Sequence, residues 1–247
     1  MNFFISKNIE ELSHQVADWM VDHIQQILKS QDQFTIALSG GSTPKKLYQL
    51  LATDAYKNKI DWSRMHVFWG DERFVPFNND RNNAKMAFDE LLDHVPVRRA
   101  QIHIMRTDIE PEVSAREYEM VLRQYFDNNK KSFDLVLLGL GDNAHTLSLF
   151  PGFEIIHEKK RWVRSVFLKE LNTHRITLTA PVVNIAGRVA FLVSGQDKAG
   201  ALVHVISDSY VPDLYPAQLI KPVHEELYWF VDEAAASGLN KKLSQTF

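Results

Sequence analysis

His145 stands in the segment Gly139-Leu140-Gly141-Asp142-Asn143-Ala144-His145-Thr146, directly after the apolar run FDLVLL. A glycine-rich turn after such a run lets a side chain face a cleft, and a neutral imidazole is the natural general base near pH 7. No H-E-x-x-H or similar pairing surrounds it, so metal ligation is the weaker reading. A second charged segment, Gly70-Asp71-Glu72-Arg73-Phe74-Val75-Pro76, leaves the apolar run MHVFW. It reads as a loop, and a solvated loop alone would look the same. In a site, Arg73 could stabilise negative charge on a carbonyl oxygen in the transition state. Asp71 could handle protons or orient Arg73.

Two further segments suit an anion. Ser39-Gly40-Gly41-Ser42-Thr43-Pro44-Lys45 follows the run FTIAL. Two glycines permit a tight turn; Thr43 is expected to cap the next helix and Pro44 to take its first position. The free N–H groups and dipole at a helix start favour a phosphate. The spacing is not that of a Walker A loop, and an ordinary strand-to-helix turn also fits. Arg175 in HRITLTAP and Lys198 in SGQDKA lie at or just past strand-like runs. Arg can hold a phosphate through paired hydrogen bonds and Lys as a point charge, although each taken singly is also an ordinary surface charge.

The elements that must position these residues alternate along the chain. Apolar positions at helical spacing mark residues 9–29, with Leu12, Val16, Met20 and Ile24 among them. Strands are expected at 34–38, 65–69, 133–138, 162–167, 175–178, 188–194 and 227–231. Helices are expected at 44–51, 84–92, from Pro111 onward and at 198–205, with an Ala-rich helical turn at the end. This pattern predicts one α/β domain over residues 1–247: a Rossmann-like, mostly parallel sheet with helices on both faces. Six of the ten glycines, Gly40, Gly41, Gly70, Gly139, Gly141 and Gly195, follow strand-like runs. In open parallel sheets ligands bind beyond the carboxyl ends of the strands, so these glycines point to one shared site.

Bulk composition narrows the function classes. A net charge of -3 argues against a nucleic-acid binder held by bulk electrostatics. With no cysteine, disulfides and thiolate catalysis are excluded. No run approaches the ~20 apolar residues of a membrane span, and no signal peptide is legible at the start. The expectation is a cytoplasmic protein with no membrane or nucleic-acid partner, a monomer or weak homo-oligomer acting on a small molecule.

Five segments in order resemble the 6-phosphogluconolactonase family: ALSGGSTPKKLYQLL, VFWGDERFVP, FDLVLLGLGDNAHTLSLFPG, RITLTAPVVNIAGRVAFLVSGQDKA and YPAQLIKPVHEELYWFVDEAAA. Together they cover most of the chain. The resemblance implies a fold shared with glucosamine-6-phosphate deaminases. It implies hydrolysis of 6-phosphoglucono-δ-lactone to 6-phosphogluconate, in the oxidative pentose phosphate pathway, with no metal or cofactor. It assigns His145 as catalytic base and Arg73 as the active-site arginine. Gly40, Gly41, Ser42 and Thr43 match the phosphate loop, and Arg175 and Lys198 match basic residues near the phosphate. The family pattern resembles G-L-G-x-D-G-H-T, whereas this chain has Asn143 for the aspartate and Ala144 for the glycine. Asn82 stands where serine is usual. An uncharged Asn143 beside the base predicts a weakened rate, and a sugar-phosphate binder with impaired catalysis is an alternative. So is an amino-sugar-phosphate deaminase, although those enzymes resemble D-E-Y and G-H-I-A-F-N-E-P where this chain has DERFVP and HTLSLFPG.

Overall fold

A computed structural model describes residues 2–127, 130–207 and 209–239. The strands are β1 (Asn2–Ser6), β2 (Phe34–Leu38), β3 (Met65–Trp69), β4 (Asp71–Arg73), β5 (Leu135–Leu138), β6 (Val163–Leu168), β7 (Thr173–Leu178), β8 (Arg188–Val193) and β9 (Leu227–Asp232). The α-helices are α1 (Ile9–Ile27), α2 (Ser42–Leu51), α3 (Asp54–Lys57), α4 (Asn83–Ala87), α5 (Pro111–Phe126), α6 (Ala180–Asn184), α7 (Ala199–Ser207) and α8 (Glu233–Ala236).

Six strands form one parallel sheet in the order β1-β9-β8-β5-β2-β3. Strands β2, β5 and β9 are buried along their whole length, as continuous apolar runs covered on both faces require. Two large cores lie against the sheet. One gathers Leu12, Val16 and Ile24 of α1 with Leu47 and Leu51 of α2. The other gathers Tyr118 and Leu122 of α5, Val182 of α6 and Leu202 of α7. The fold is therefore the expected α/β arrangement. Among the described residues, no helix is long and apolar enough to cross a membrane.

The local readings hold for most elements and fail at several. The FFIS run at the start, which is not among the expected strands, is an edge strand paired with β9. The helix expected at 84–92 is α4 followed by a π turn, Phe88–Leu92. The expected strands near 162–178 do form, but they pair antiparallel with each other and with β4 in a separate three-stranded sheet. Asp71–Arg73 is thus a strand and not a loop. Gly70 joins the two sheets: its N–H donates to Leu38 O at 2.8 Å and its O accepts from Leu178 N at 2.8 Å.

The strand order positions the site. From β2 the chain runs outward to β3; the later strands β5, β8 and β9 add on the other side of β2. The direction of winding reverses between β2 and β5, and a crevice opens beyond the carboxyl ends of such a strand pair. The Gly40-Gly41 and Gly139–His145 segments leave these two strands.

Candidate active site

A cleft of about 260 Å³ lies at this crevice. Gly40, Gly41, Ser42, Thr43, Asp71, Arg73, His145, Arg175 and Lys198 all line it. Asn143 is not in its wall but stands against His145.

The loop after β2 enters α2 two residues earlier than expected. Gly41, with φ of 110°, is the cap residue, and α2 begins at Ser42. Thr43 is therefore not the cap, and Pro44 lies within the first turn. The backbone conformation at Gly41 is open to glycine and strained for other residues. The first-turn N–H groups of Ser42 and Thr43 lack a carbonyl one turn back, as at any helix start. Tyr48 of α2 anchors the loop: its buried hydroxyl accepts from Ser39 N at 3.0 Å and donates to Ser39 O at 2.8 Å.

Two cations face this helix start across the cleft. Arg175 sits on β7, and its Nε and Nη1 are buried with no hydrogen-bond partner. Burial pushes its guanidinium below the ordinary arginine value. Unpaired buried donors on a cation are costly unless an anion meets them. Lys198 closes a 3-10 turn, Gln196–Lys198, and its Nζ lies 2.8 Å from Asp197 Oδ2. Asp232, at the end of β9, supports that turn. It accepts from Ser194 Oγ at 2.5 Å and from Gly195 N at 3.1 Å. Sequence reading passed over Asp232, because only the pairing of β9 with β8 brings it to this turn.

The loop after β5 holds His145 by contacts within itself. Gly141 N donates to His145 O at 2.8 Å and Ala144 N to Gly141 O at 3.0 Å. A Cβ on Gly141 would stand 2.0 Å from His145 Nδ1, so only glycine leaves room for the ring. Phe150 covers the ring, with centroids 4.4 Å apart. Asn143 Oδ1 lies 3.3 Å from His145 N and 2.5 Å from His145 Nδ1. The backbone N–H can only donate, so the amide oxygen must face it. The same oxygen then needs a proton on Nδ1, which leaves the Nε2 lone pair free. Burial lowers the imidazole's pKa, opposed by Asp71 and Asp142 and aided by Lys198 and Arg175.

Ala144, which stands where the family pattern has glycine, has φ of 61°, a left-handed backbone. Such a backbone costs roughly 1–2 kcal/mol for a residue with a Cβ. The Ala144 methyl is buried in the core, which returns about 0.8 kcal/mol. The loop thus keeps its turn at a small cost.

On β4 the side chains alternate. Asp71 and Arg73 line the cleft, while Glu72 between them is buried. Glu72 accepts from Arg73 N, Asn83 N and Ala84 N at 2.7–2.8 Å, tying β4 to the start of α4. Burial pushes its carboxyl up to about 7, against those three donors. Asn82 caps α4 through Oδ1 on Lys85 N, a role serine fills equally well. Asp71 Oδ2 accepts from Ser148 Oγ at 2.7 Å; Arg73 Nη1 donates to Arg81 O at 3.0 Å. Asp71 therefore has Ser148, not Arg73, as its side-chain partner. Among the described residues no three His, Asp or Glu side chains converge to hold a metal ion.

The arrangement sets the His145 imidazole in the same cleft as the unpaired guanidinium donors of Arg175. Residues 7–229 match the family described as glucosamine-6-phosphate isomerases/6-phosphogluconolactonase. The chain belongs to this family. It is 40% identical to a 6-phosphogluconolactonase of Nostoc sp., over 96% of this chain and all of the relative. It is also 40% identical to one of Synechocystis sp., over 87% of this chain and 89% of the relative. The crystal structure of 6-phosphogluconolactonase from Thermotoga maritima superposes with a TM-score of 0.81 at 26% identity, covering 94% of this chain and 99% of that one. The family's fold accounts for the parallel sheet described above.

Proposed function

We propose that this protein hydrolyses 6-phosphoglucono-δ-lactone to 6-phosphogluconate, with His145 as general base. The observation that carries the reading is one cleft shared by His145, whose Nε2 lone pair is free, and Arg175, whose Nε and Nη1 are unpaired. The names of the relatives support the substrate.

In this reading His145 Nε2 removes a proton from water, which attacks the lactone carbonyl. Arg73, at the cleft wall, stabilises the tetrahedral oxyanion. The ring oxygen then leaves and takes the proton back from the imidazolium. The phosphate rests on the start of α2 between Arg175 and Lys198, away from the reacting bond, so its binding energy fixes the ring against the base. Every step uses groups of the chain and water.

The test is hydrolysis of freshly prepared 6-phosphoglucono-δ-lactone by purified protein, corrected for spontaneous opening. A rate above the blank that falls to it in His145→Ala supports the reading. A rate equal to the blank with tight binding of 6-phosphogluconate would instead support a sugar-phosphate binder, the reading that Asn143 favours. Release of ammonia from glucosamine 6-phosphate without lactone hydrolysis would overturn both.

A further inference from the structure

The loop that carries His145 also reaches back to the opposite wall of the cleft. Ser148, three residues after the histidine, is 1% exposed. Its N–H donates to Thr177 Oγ1 at 3.2 Å, and its hydroxyl donates to Asp71 Oδ2 at 2.7 Å. Asp71 is on β4 and Thr177 is its partner on β7. One side chain of the histidine loop therefore fixes a carboxylate on the small sheet, and all three of His145, Ser148 and Asp71 line the same cleft.

This pairing answers a question left by Asn143. The amide beside His145 accepts the Nδ1 proton but carries no charge to stabilise an imidazolium. The groups that act electrostatically on His145 are Asp71 from β4, Asp142 from its own loop, Lys198 from the turn after β8 and Arg175 from β7. Of the two acids, Asp142 is exposed on the loop, whereas Asp71 is held inside the cleft by Ser148. We infer that Ser148 is a positioning residue that holds the Asp71 carboxylate where its charge stabilises protonated His145. The inference deepens the role proposed for His145 and rests on that reading.

The test pairs a titration with kinetics. The imidazole of His145 is followed by NMR in wild type, Ser148→Ala, Asp71→Asn and the double variant. Asp71→Asn keeps an acceptor for Ser148 and removes only the charge, so it reads the charge even if Ser148→Ala does not fold. Both single variants should lower the His145 pKa, with the double variant no lower than Asp71→Asn alone. Ser148→Thr should restore the wild-type titration. In lactone hydrolysis, Ser148→Ala should reduce kcat about tenfold, equivalent to about 1.4 kcal/mol, with KM changed little. An unmoved titration in Asp71→Asn, or additive effects of the two changes, would overturn the inference. The titration is independent of lactone turnover, so a failure of the proposed reaction shows separately, as an inactive wild type.

Discussion

Asn143 Oδ1 lies 2.5 Å from His145 Nδ1 and also receives the His145 backbone N–H, so an uncharged side chain sets the tautomer of the candidate base. The hydrogen bond is in place; the negative charge is missing. Replacing Asn143 by Asp should therefore leave KM nearly unchanged and raise kcat about tenfold, roughly 1.4 kcal/mol in barrier. The gain should be larger in the Asp71→Asn background, where no held carboxylate remains on the cleft wall. Steady-state hydrolysis of the lactone measures both. A slower Asn143→Asp enzyme would mean that the amide itself is the better partner.

Gly141 is predicted to be required for catalysis and not for binding. Its missing side chain is the space that His145 Nδ1 approaches, since a Cβ there would stand 2.0 Å away. Gly141→Ala should displace the imidazole and cut kcat at least a hundredfold, at the low end of what a positioned general base supplies, ~10²–10⁴. Calorimetric titration with 6-phosphogluconate should show affinity within a few fold of wild type.

Arg175 and Lys198 should separate phosphate recognition from sugar recognition. Changing either to Ala should weaken 6-phosphogluconate binding by ~1.5–3 kcal/mol, the usual scale of a charge-assisted contact. Binding of unphosphorylated gluconate should stay the same. Equal losses for the two ligands would remove the phosphate assignment.

The pH dependence follows from burial of His145. Its pKa lies below the ordinary 6.5, so the neutral base persists to lower pH and the acid limb of kcat/KM should fall below 6.5. Because the folded value is lowered, the imidazole's contribution to stability is present above 6.5 and is lost as pH falls through the folded value. Arg175→Ala removes a charge that lowers this pKa and should move the acid limb upward. Asp71→Asn should move it downward. Rate profiles across pH 4–8 would check the order of the three enzymes.

Much of this site is legible in the sequence because parallel strands end in recognisable ways. FTIAL, MHVFW and FDLVLL are mostly apolar runs, and the polar residues that follow parallel strands of one sheet emerge at the same sheet edge. What escaped reading depends on pairing across the chain. DER looks like a solvated loop because all three residues are charged; the alternation that buries Glu72 is visible only when β4 lies against β7. Thr43 and Pro44 matched a helix-start pattern, but Gly41 took the cap because its left-handed backbone ends the turn earlier. Ser148 and Asp232 carry no local signal at all. Their partners, Asp71 and Gly195, are 77 and 37 residues away.

The register of the small sheet places Arg73 directly opposite Arg175. Like charges in that relation oppose each other, so the β4–β7 ladder is held together against its own electrostatics. A phosphate bound at Arg175 would offset part of that repulsion. The sheet edge would then be weakest when the cleft is empty and firmest when it is filled, and saturating ligand would protect the amides of β4 and β7 from exchange beyond what mass action gives the rest of the molecule. In that sense the ligand completes a piece of tertiary structure that the chain leaves under tension.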